Sequence, residues 1–194
     1  MKEFLAELRG AIFSTLILAV VCCGIYPLIV FGIGRTLFPD QAGGSLIVDA
    51  RGTVVGSKLI GQNFSADKYF HPRPSAAGNG YDSLNSGGSN LGPTSQKLAD
   101  TIRQNVADYR MQNGLAASAP VPADAVTASA SGLDPHISVE NAQIQAARVA
   151  KARGLKVEDV TALIAQCTDP PDLGFLGDPG VNVLRLNLAL DGMK

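Results

Sequence analysis

The longest uncharged stretch of the chain lies near its amino terminus. From Ala11 to Gly34, 24 consecutive residues include no Asp, Glu, Lys, Arg or His. At about 1.5 Å per residue, a helix of this length crosses a bilayer core of about 30 Å with some tilt. The pattern predicts a short stub over residues 1–10, an uncleaved transmembrane helix over residues 11–34 and a single extramembrane domain over residues 35–194.

Strands are predicted near both ends of the extramembrane domain. Residues 45–50 and 53–60 flank Arg51-Gly52 and are typical of a hairpin that turns at a glycine. Near the carboxyl terminus, residues 182–190 place leucines at every second position, which predicts a strand. We expect this last strand to pair with the first hairpin.

Three helices are predicted between the strands. The first begins at residues 93–95, keeps its apolar residues on one face and ends near Gly114. The second begins at a Ser138 cap and ends at Gly154, and the third covers residues 157–167. Strands at both ends around about three helices give an α+β domain.

Two further stretches have the composition of loops. Residues 72–93 contain five glycines with interspersed Ser and Asn, which predicts a long loop with many free backbone amides. Residues 115–131 are rich in Ala, Ser and Pro and carry Asp124 as their only charge. This second stretch is either a crossing segment or a partly ordered flap, and its composition does not distinguish the two.

Small residues recur at every fourth position of the predicted transmembrane helix. Such a stripe lets two helix backbones approach closely in a membrane. It predicts a partner-binding face formed by Ala11, Thr15, Ala19 and Cys23. An isolated anchor with an accidental stripe is the alternative. Pro27 continues the same row and predicts a bend, because it removes one helical hydrogen bond.

The charges of the chain bear on its partners and its orientation. With 16 Lys or Arg against 17 Asp or Glu, no basic excess is available to hold nucleic-acid phosphates. Lys2 and Arg9 precede the apolar stretch, whereas Arg35 is the only base that follows it before Arg51. Because basic flanks stay inside, we expect a cytoplasmic amino terminus and a domain outside, in the periplasm or its equivalent.

No motif for phosphate binding or ATP hydrolysis is present. The chain lacks G-x-x-x-x-G-K-[ST], G-x-G-x-x-G and the Asp-Lys-Thr-Gly phosphorylation sequence. Ser65 and Lys68 match S-x-x-K, and residues 83–85 match the S-x-N element of serine acyl enzymes, but the Lys-Thr-Gly element is missing. A membrane-anchored serine acyl enzyme, with Lys68 activating Ser65, is therefore the alternative function.

Histidine and cysteine offer weaker candidates. His71 and His136 have Asp67 and Asp134 near them in sequence. Imidazole and carboxylate side chains are common ligands of metal cations. Nothing in the spacing brings the four together, so we prefer a loop-ordering role and predict no metal site. Cys167, in the third predicted helix, is expected to be a small buried apolar residue.

Several long blocks of the sequence resemble one known family. They follow one another along almost the whole chain and comprise residues 56–62, 69–76, 86–95, 124–138 and 181–190. In this order, after one amino-terminal span, they resemble the C subunit of the bacterial Kdp potassium-transporting ATPase. The resemblance implies an inner-membrane complex in which a channel-like subunit carries potassium and a P-type ATPase subunit hydrolyses ATP.

The resemblance also implies an accessory, noncatalytic role, in one of two forms. A catalytic chaperone would raise the ATP affinity of the ATPase subunit, and Ser86-Gly87-Gly88-Ser89 resembles the signature loop of ABC transporters. Because the amides of such a loop can hold phosphate, residues Ser86, Gly87, Gly88, Ser89 and Asn90 are the candidate partner or nucleotide loop.

The second form is an assembly cap that stabilises the channel-like subunit. The expected location of the domain outside the cell favours this form, since cytoplasmic ATP does not reach it. We expect no intrinsic cofactor: ATP enters only through the resemblance, and the partner subunits handle potassium.

Overall fold

The chain begins with a long apolar helix. In the computed structural model, which describes residues 2–49 and 51–193, α1 (Lys2–Ala19) continues through a π-helical stretch (Val20–Ile25) into α2 (Tyr26–Leu37). The most apolar 18-residue window of this helix has a mean hydropathy of 2.7, and none of that window is buried. By length and composition the helix can cross a membrane, and it extends beyond both ends of the uncharged stretch.

The π-helical turn lies just before the proline of this helix. Pro27 carries no N–H, so it cannot donate to the carbonyl four residues earlier. The preceding turn is wider than an α-helical one, because the N–H of Tyr26 bonds to the carbonyl of Val21, five residues back. A π-helical turn therefore lies just before the position at which the sequence predicts a bend.

The described residues divide into two compact units between Leu46 and Ile47. The first unit contains the long helix and the single-turn helix α3 (Pro39–Ala42). Strands β1 (Leu46–Val48) and β2 (Val54–Ser57) pair in a two-stranded sheet. The hairpin that the sequence predicts here is confirmed, with shorter strands.

The first predicted helix is present as α4 (Gln96–Gln112). Its N-cap is Ser95, whose hydroxyl oxygen accepts a hydrogen bond from the N–H of Leu98. A serine in this position satisfies one of the N–H groups that a helix leaves without a partner at its start. The hydroxyl of Thr94 lies one residue before the cap. On the predicted apolar face of α4, Tyr109 is buried.

The stretch of residues 115–131 is an ordered crossing segment rather than a flap. It contains the single-turn helix α5 (Ala123–Val126) and is attached to α4 at two points. Asn105 of α4 donates to the carbonyl of the last residue of α5, and Arg110 donates to the carbonyl of Ala119. These hydrogen bonds decide between the two interpretations that composition left open.

The second and third predicted helices are α6 (Val139–Arg153) and α7 (Val157–Gln166). Ser138 caps α6, as predicted, by accepting a hydrogen bond from the third N–H of the helix. The helix ends at Gly154, whose φ of 68° is the left-handed conformation that glycine adopts with little steric cost. Cap and terminator are both readable in the sequence, and both helices are confirmed.

A three-stranded antiparallel sheet has the order β3–β5–β4. Its strands are β3 (His136–Ser138), β4 (Thr168–Asp169) and β5 (Gly180–Asn182). Val181 lies opposite Ile137 of β3, and the other edge of β5 pairs with β4. The prediction that the last strand pairs with the first hairpin is therefore wrong.

The predicted strand over residues 182–190 is also wrong, because only its first residue belongs to a strand. The remainder is helix α8 (Val183–Gly192), capped by Asn182, whose Oδ1 accepts from the N–H of Arg185. The buried positions follow a helical period and are Val183, Leu184, Leu186, Asn187 and Leu190. A leucine at every second position has the period of a strand, but in the helix one of the four leucines, Leu188, is only partly buried.

The core of the domain lies where α6 packs against α7 and where α8 and the three-stranded sheet meet them. Alanines on the buried face of α6 let the neighbouring elements approach closely. The buried core residues are Phe70, Ile137, Ala142, Ala146, Val149, Ala150, Val160, Ile164, Cys167, Val181, Val183, Leu186 and Leu190. Cys167 is thus a buried small residue, as predicted.

Residues 61–76 form no helix or strand and pack against this core, and we call them the docked segment. Phe70 is fully buried, so its backbone N–H and C=O need partners that a neighbouring strand would usually supply. The carboxamide of Asn187 supplies both, accepting from the N–H at 2.8 Å and donating to the carbonyl at 3.0 Å. Gln145 of α6 does the same for His71, at 2.7 Å and 3.1 Å. Two carboxamides therefore take the place of a paired strand.

Two arginines near the end of α6 complete this docking. Arg148 donates to the carbonyls of Asp67 at 2.6 Å and Tyr69 at 3.0 Å. The guanidinium of Arg153 lies 5.0 Å from the centroid of the Tyr69 ring and pairs with Asp191 at 2.7 Å. Since α6 also carries Gln145, one helix fixes most of the segment.

Replacing Asn187 with Ala is expected to destabilise the domain strongly. The change leaves two buried backbone groups of Phe70 without partners, each of which costs about 1–3 kcal/mol. We expect the free energy of unfolding of the full chain in detergent, measured by circular dichroism in urea, to fall by about 2–4 kcal/mol.

The matched control is Gln104→Ala, which removes an exposed carboxamide that bonds to Asp108 on the same helix. Its effect is expected to stay within about 0.5 kcal/mol. Equal stabilities of the two variants would contradict the role assigned to Asn187.

Candidate functional site

A polar cleft of about 370 Å³ lies between the docked segment, α4 and α6. Hydroxyls, carboxamides and one guanidinium dominate its walls. The residues that line it include Ser65, His71, Arg73, Tyr81, Tyr109 and Gln145. Ser65 and His71 are candidates from the sequence, but no sequence pattern predicts that they line one cleft.

The floor of the cleft is a connected network of buried polar groups. Asn141 donates to the carboxylate of Asp124 at 2.8 Å and accepts from the hydroxyl of Tyr109 at 2.8 Å. The same carboxamide oxygen accepts from Gln145 at 2.9 Å. Burial, followed by the nearby Asp124 carboxylate, raises the pKa of Tyr109, so its hydroxyl remains a donor at physiological pH. The floor is fully paired and therefore rigid.

The candidate loop from Ser86 onward packs against the crossing segment. The Ser86 hydroxyl and the Gly87 N–H both donate to the carbonyl of Ser131, each at 2.9 Å. Gly88 lies so close to Ala130 that an added Cβ would be 3.1 Å from the Ala130 carbonyl oxygen. The Gly87 amide, one of those expected to face a ligand, is thus occupied by the chain itself.

The other end of the loop is exposed. Ser89 and Asn90 both face solvent, and Asn90 has a φ of 53°, a left-handed conformation that asparagine tolerates better than most residues. Within the described part of the chain, neither side chain has a hydrogen-bond partner. The loop therefore offers polar side chains, rather than a ring of free amides, to another surface.

Gly132 is a key position that the sequence predictions missed. It has a φ of 67°, and an added Cβ would lie 2.7 Å from both the Ala77 nitrogen and the Gly87 oxygen. The Ser75 hydroxyl donates to the Gly132 carbonyl at 2.6 Å and accepts from the N–H of Tyr81 at 2.8 Å. The candidate loop is consequently held by the turn at Gly132 and by the turn that Ser75 closes with Tyr81.

The geometry does not favour the serine acyl enzyme. The Lys68 ammonium lies 5.1 Å from the centroid of the Tyr69 ring, and no hydrogen bond joins it to Ser65 among the residues that the structure describes. In the S-x-N element, Asn85 donates to the carboxylate of Asp82 and caps a surface turn. A nucleophilic serine needs a base within hydrogen-bond reach, which this pair lacks.

His136 belongs to an ion network and not to a cation site. Its Nε2 lies 3.0 Å from a carboxylate oxygen of Asp169, and its Nδ1 lies 3.7 Å from Asp134, an electrostatic contact rather than a hydrogen bond. Arg73 pairs with Asp134 at 2.8 Å, and Arg185 pairs with Asp169 at 2.7 Å. The two carboxylates are thus balanced by two guanidinium groups.

The two histidines are not brought together. His71 lies in the docked segment, where its Nε2 is 3.3 Å from the carbonyl of Ala66. Burial, followed by the charge of Arg148, lowers the pKa of His71, whereas the carboxylates of Asp134 and Asp169 raise the pKa of His136. Among the described residues, no group of three or more His, Cys, Asp or Glu could hold a metal ion.

Part of the predicted stripe lines a shallow apolar groove on the long helix. The groove residues are Leu16, Ala19, Val20, Cys23, Gly24, Ile25 and Leu28. Ala19 and Cys23 come from the predicted stripe, while Ala11 and Thr15 lie outside this lining. Small side chains at the π-helical turn thus leave a depression on an otherwise bulky surface.

Comparison with known proteins gives one consistent family along the chain. The family described as "KdpC: K+-transporting ATPase, c chain" matches residues 8–192. The chain is 54% identical over 185 residues to the "Potassium-transporting ATPase KdpC subunit" of Mycobacterium bovis (strain BCG / Pasteur 1173P2), which covers 95% of this chain and 97% of that protein. The chain belongs to the KdpC family. The resemblance stated from the sequence blocks is thereby confirmed.

Two further KdpC relatives come from distant bacteria. The protein of the same name from Geobacter sulfurreducens is 53% identical over 186 residues, covering 95% of this chain and 97% of that protein. The one from Koribacter versatilis is 48% identical over 188 residues, covering 97% of this chain and 95% of that protein. The matched lengths include both the apolar helix and the domain.

The KdpC domain depends on carboxamides that the sequence predictions missed. Asn141 and Gln145 lie on the buried face of α6, and Asn187 lies on the buried face of α8. A signal was present in α6, where both residues share a face with Ala142, Ala146 and Val149. In α8 no such signal is visible, because the alternate leucines of the segment predict a strand.

The titration of His136 should contribute to the pH dependence of the free energy of unfolding of this chain. A histidine whose folded-state pKa is raised contributes stability below its unfolded pKa of about 6.5, and that contribution is lost as the pH rises through the folded-state value. Because the ring is partly exposed, we expect the difference in unfolding free energy between wild type and His136→Gln to fall by less than about 1 kcal/mol between about pH 6 and pH 8.

The control is His71→Gln, since the pKa of His71 is shifted the opposite way. Its contribution should be lost as the pH falls below about 6.5. Chemical denaturation of the full chain in detergent, followed by circular dichroism across this range, measures both. A constant difference between wild type and His136→Gln would show that the ion network does not perturb the titration.

Proposed function

We propose that this chain is the accessory subunit of a potassium-uptake complex, which it stabilises by contact and in which it performs no chemistry of its own. The observation that carries the proposal is the KdpC match, which extends from the apolar helix to the end of the domain. A channel-like subunit carries potassium in the proposed complex, and a P-type ATPase subunit hydrolyses ATP.

The long helix supports assembly within the membrane. A single span cannot enclose a transport pathway, so a transport role requires other subunits to supply one. Its apolar surface is exposed along its length, and the groove at Ala19, Cys23 and Gly24 offers a place for close approach by another helix. The charges at Lys2 and Arg9 support a cytoplasmic amino terminus and a periplasmic domain, with the helix in the bacterial inner membrane.

The extramembrane domain supports a capping role rather than a catalytic one. The cleft floor at Asn141 and Gln145 uses its hydrogen-bonding groups internally. The serine and lysine of the alternative function are not arranged as nucleophile and base. A rigid domain of this kind is suited to biasing the geometry of a partner surface, here that of the channel-like subunit.

In a chaperone role that raises the ATP affinity of the ATPase subunit, the candidate loop would have to bind phosphate. Phosphate binding by backbone requires several free N–H groups that converge on one point. The Gly87 N–H already bonds to Ser131, and Gly88 is packed against Ala130, so the contacts support protein recognition ahead of nucleotide binding.

Enlarging Ala19 should weaken assembly without preventing membrane insertion. Leucine adds volume at a close approach while raising hydrophobicity, and overpacking of this kind typically costs about 1–3 kcal/mol. For Ala19→Leu we expect about tenfold lower recovery of the other subunits with the tagged chain from detergent-solubilised membranes.

Leu18→Ile is the control, because Leu18 lies outside the groove lining and the change conserves volume. Membrane content of the chain is measured in parallel by immunoblotting. Equal recovery with Ala19→Leu and wild type would mean that the groove does not contact a partner and that the helix is only an anchor.

Gly87→Val tests the candidate loop without disturbing its packing. A Cβ at Gly87 meets nothing within 4 Å, whereas one at Gly88 presses on Ala130, so the single substitution is the cleaner probe. We expect it to reduce potassium uptake by whole cells at low external potassium several-fold while the unfolding temperature of the chain is unchanged.

Gly92→Val is the matched control, because an added Cβ there also meets open space. Equilibrium dialysis of the full chain with ATP separates the two roles of the loop. Saturable ATP binding that Gly87→Val abolishes would favour the chaperone role, and normal uptake by that variant would remove the loop from the functional site.

A further inference from the structure

The connection between β4 and β5 ends in an exposed apolar turn. We call residues Asp172–Asp178 the apolar tip. Within it, Leu173 is 82% exposed, Phe175 is 74% exposed and Leu176 is 51% exposed. Single exposed leucines are common on protein surfaces, but three large apolar residues within four positions of one turn are a marker of an interaction site.

The apolar tip is held in one shape by the chain. Asp172 and Leu176 exchange two backbone hydrogen bonds, each of 2.9 Å, which close the turn. Prolines at positions 170, 171 and 179 restrict the backbone on both sides. The side chains of the tip are therefore presented on a rigid support rather than on a loose loop, which lowers the entropy lost on binding.

The backbone of the tip is also strained at a residue that carries a large side chain. Leu173 has a φ of 54°, a left-handed conformation that a non-glycine residue adopts only at a steric cost. The following Gly174 adopts the same sign of φ without that cost. The left-handed conformation and the exposure of Leu173 do not stabilise the isolated domain. We therefore attribute them to a contact that Leu173 makes with another surface.

The charge around the tip indicates what kind of surface that is. Between Val157 and Leu184 the sequence contains five acidic residues and no Lys or Arg. Asp172 and Asp178 bracket the apolar side chains, and both are exposed. An anionic lipid surface would repel this rim, whereas a protein pocket edged with Lys or Arg would attract it.

We propose that the apolar tip inserts Leu173 and Phe175 into an apolar pocket, rimmed by basic residues, on another subunit of the potassium-transporting complex. This inference rests on the proposed function, because it assumes that the chain assembles with such subunits. It names a docking surface on the domain that is separate from the groove at Ala19 and from the candidate loop at Ser86.

The test uses the complete complex, purified from membranes through a tag on this chain. The double variant Leu173→Ser/Phe175→Ser is expected to lower the recovery of the other subunits at least about tenfold, since central apolar anchors dominate binding energy. Asp178→Lys should lower recovery at low salt, and the deficit should shrink as salt is raised.

Leu84→Ser is the matched control, because Leu84 is 92% exposed on a different turn. It should leave recovery within twofold of wild type. Thermal unfolding of each purified variant verifies folding, and no change is expected, since the substituted side chains are exposed.

A photo-crosslinking amino acid at Phe175 gives an independent readout that does not depend on altered folding. Irradiation of membranes that contain the wild-type complex should join this position to another subunit, and the same probe at Leu84 should not. Crosslinks from Phe175 to lipid alone, or full recovery with the double variant, would overturn the inference and leave the proposed function standing. Failure of the wild-type chain to recover any subunit would instead contradict the proposed function itself.

Discussion

The extramembrane domain depends on a requirement to pair the buried backbone groups of a segment that is not a strand. Phe70 is fully buried and needs partners for its N–H and C=O. Asn187 and Gln145 meet this need for Phe70 and His71 with side-chain carboxamides, whose oxygen accepts from the backbone N–H and whose NH2 group donates to the backbone carbonyl. Without them the docking of the segment would leave buried polar groups unpaired, at a cost comparable with the net stability of a small domain.

The same carboxamides tie the docked segment to the rest of the domain. Gln145 bonds to Asn141, and Asn141 bonds to Asp124 of the crossing segment and to Tyr109 of α4. Four separate stretches of chain therefore share one buried polar network. A fully satisfied network in a low-dielectric interior strengthens each of its bonds and specifies one arrangement. The fixed relative positions of these four stretches follow from this arrangement.

The long helix obeys a different physical rule from the domain. Its backbone groups are satisfied within the helix, so the helix needs no tertiary partner to be stable in lipid. Association in a membrane depends on close packing rather than on hydrophobic burial. The groove at Ala19 and Cys23 lies next to the π-helical turn. It consequently restricts which helix can pack against this one more than the hydropathy of the helix does. The domain, in contrast, is held together by hydrophobic burial in its core.

Local signals made much of the fold predictable. Ser138 and Gly154 define α6 because a cap and a left-handed glycine act within one turn, and α4 is readable in the same way. The segment after Asn182 is misleading, because its alternate leucines have the period of a strand, whereas the helix buries Val183, Leu186 and Leu190 at helical spacing. At the candidate site, the Gly-rich loop is visible in the sequence, but its occupied amide at Gly87 depends on Ser131, 44 residues away.

The sequence by itself determined the apolar helix, the helices with explicit caps, the α+β class and the KdpC family. These are properties of composition, of short-range hydrogen bonding and of ordered sequence blocks. Only the tertiary structure decided that Gln145 and Asn187 replace a strand, that His136 lies between Asp134 and Asp169, and that Leu173 is strained and exposed. The carboxamide pairing and the His136–Asp169 contact depend on which distant residues meet, and a side chain's partner across the fold is not encoded in its immediate neighbours.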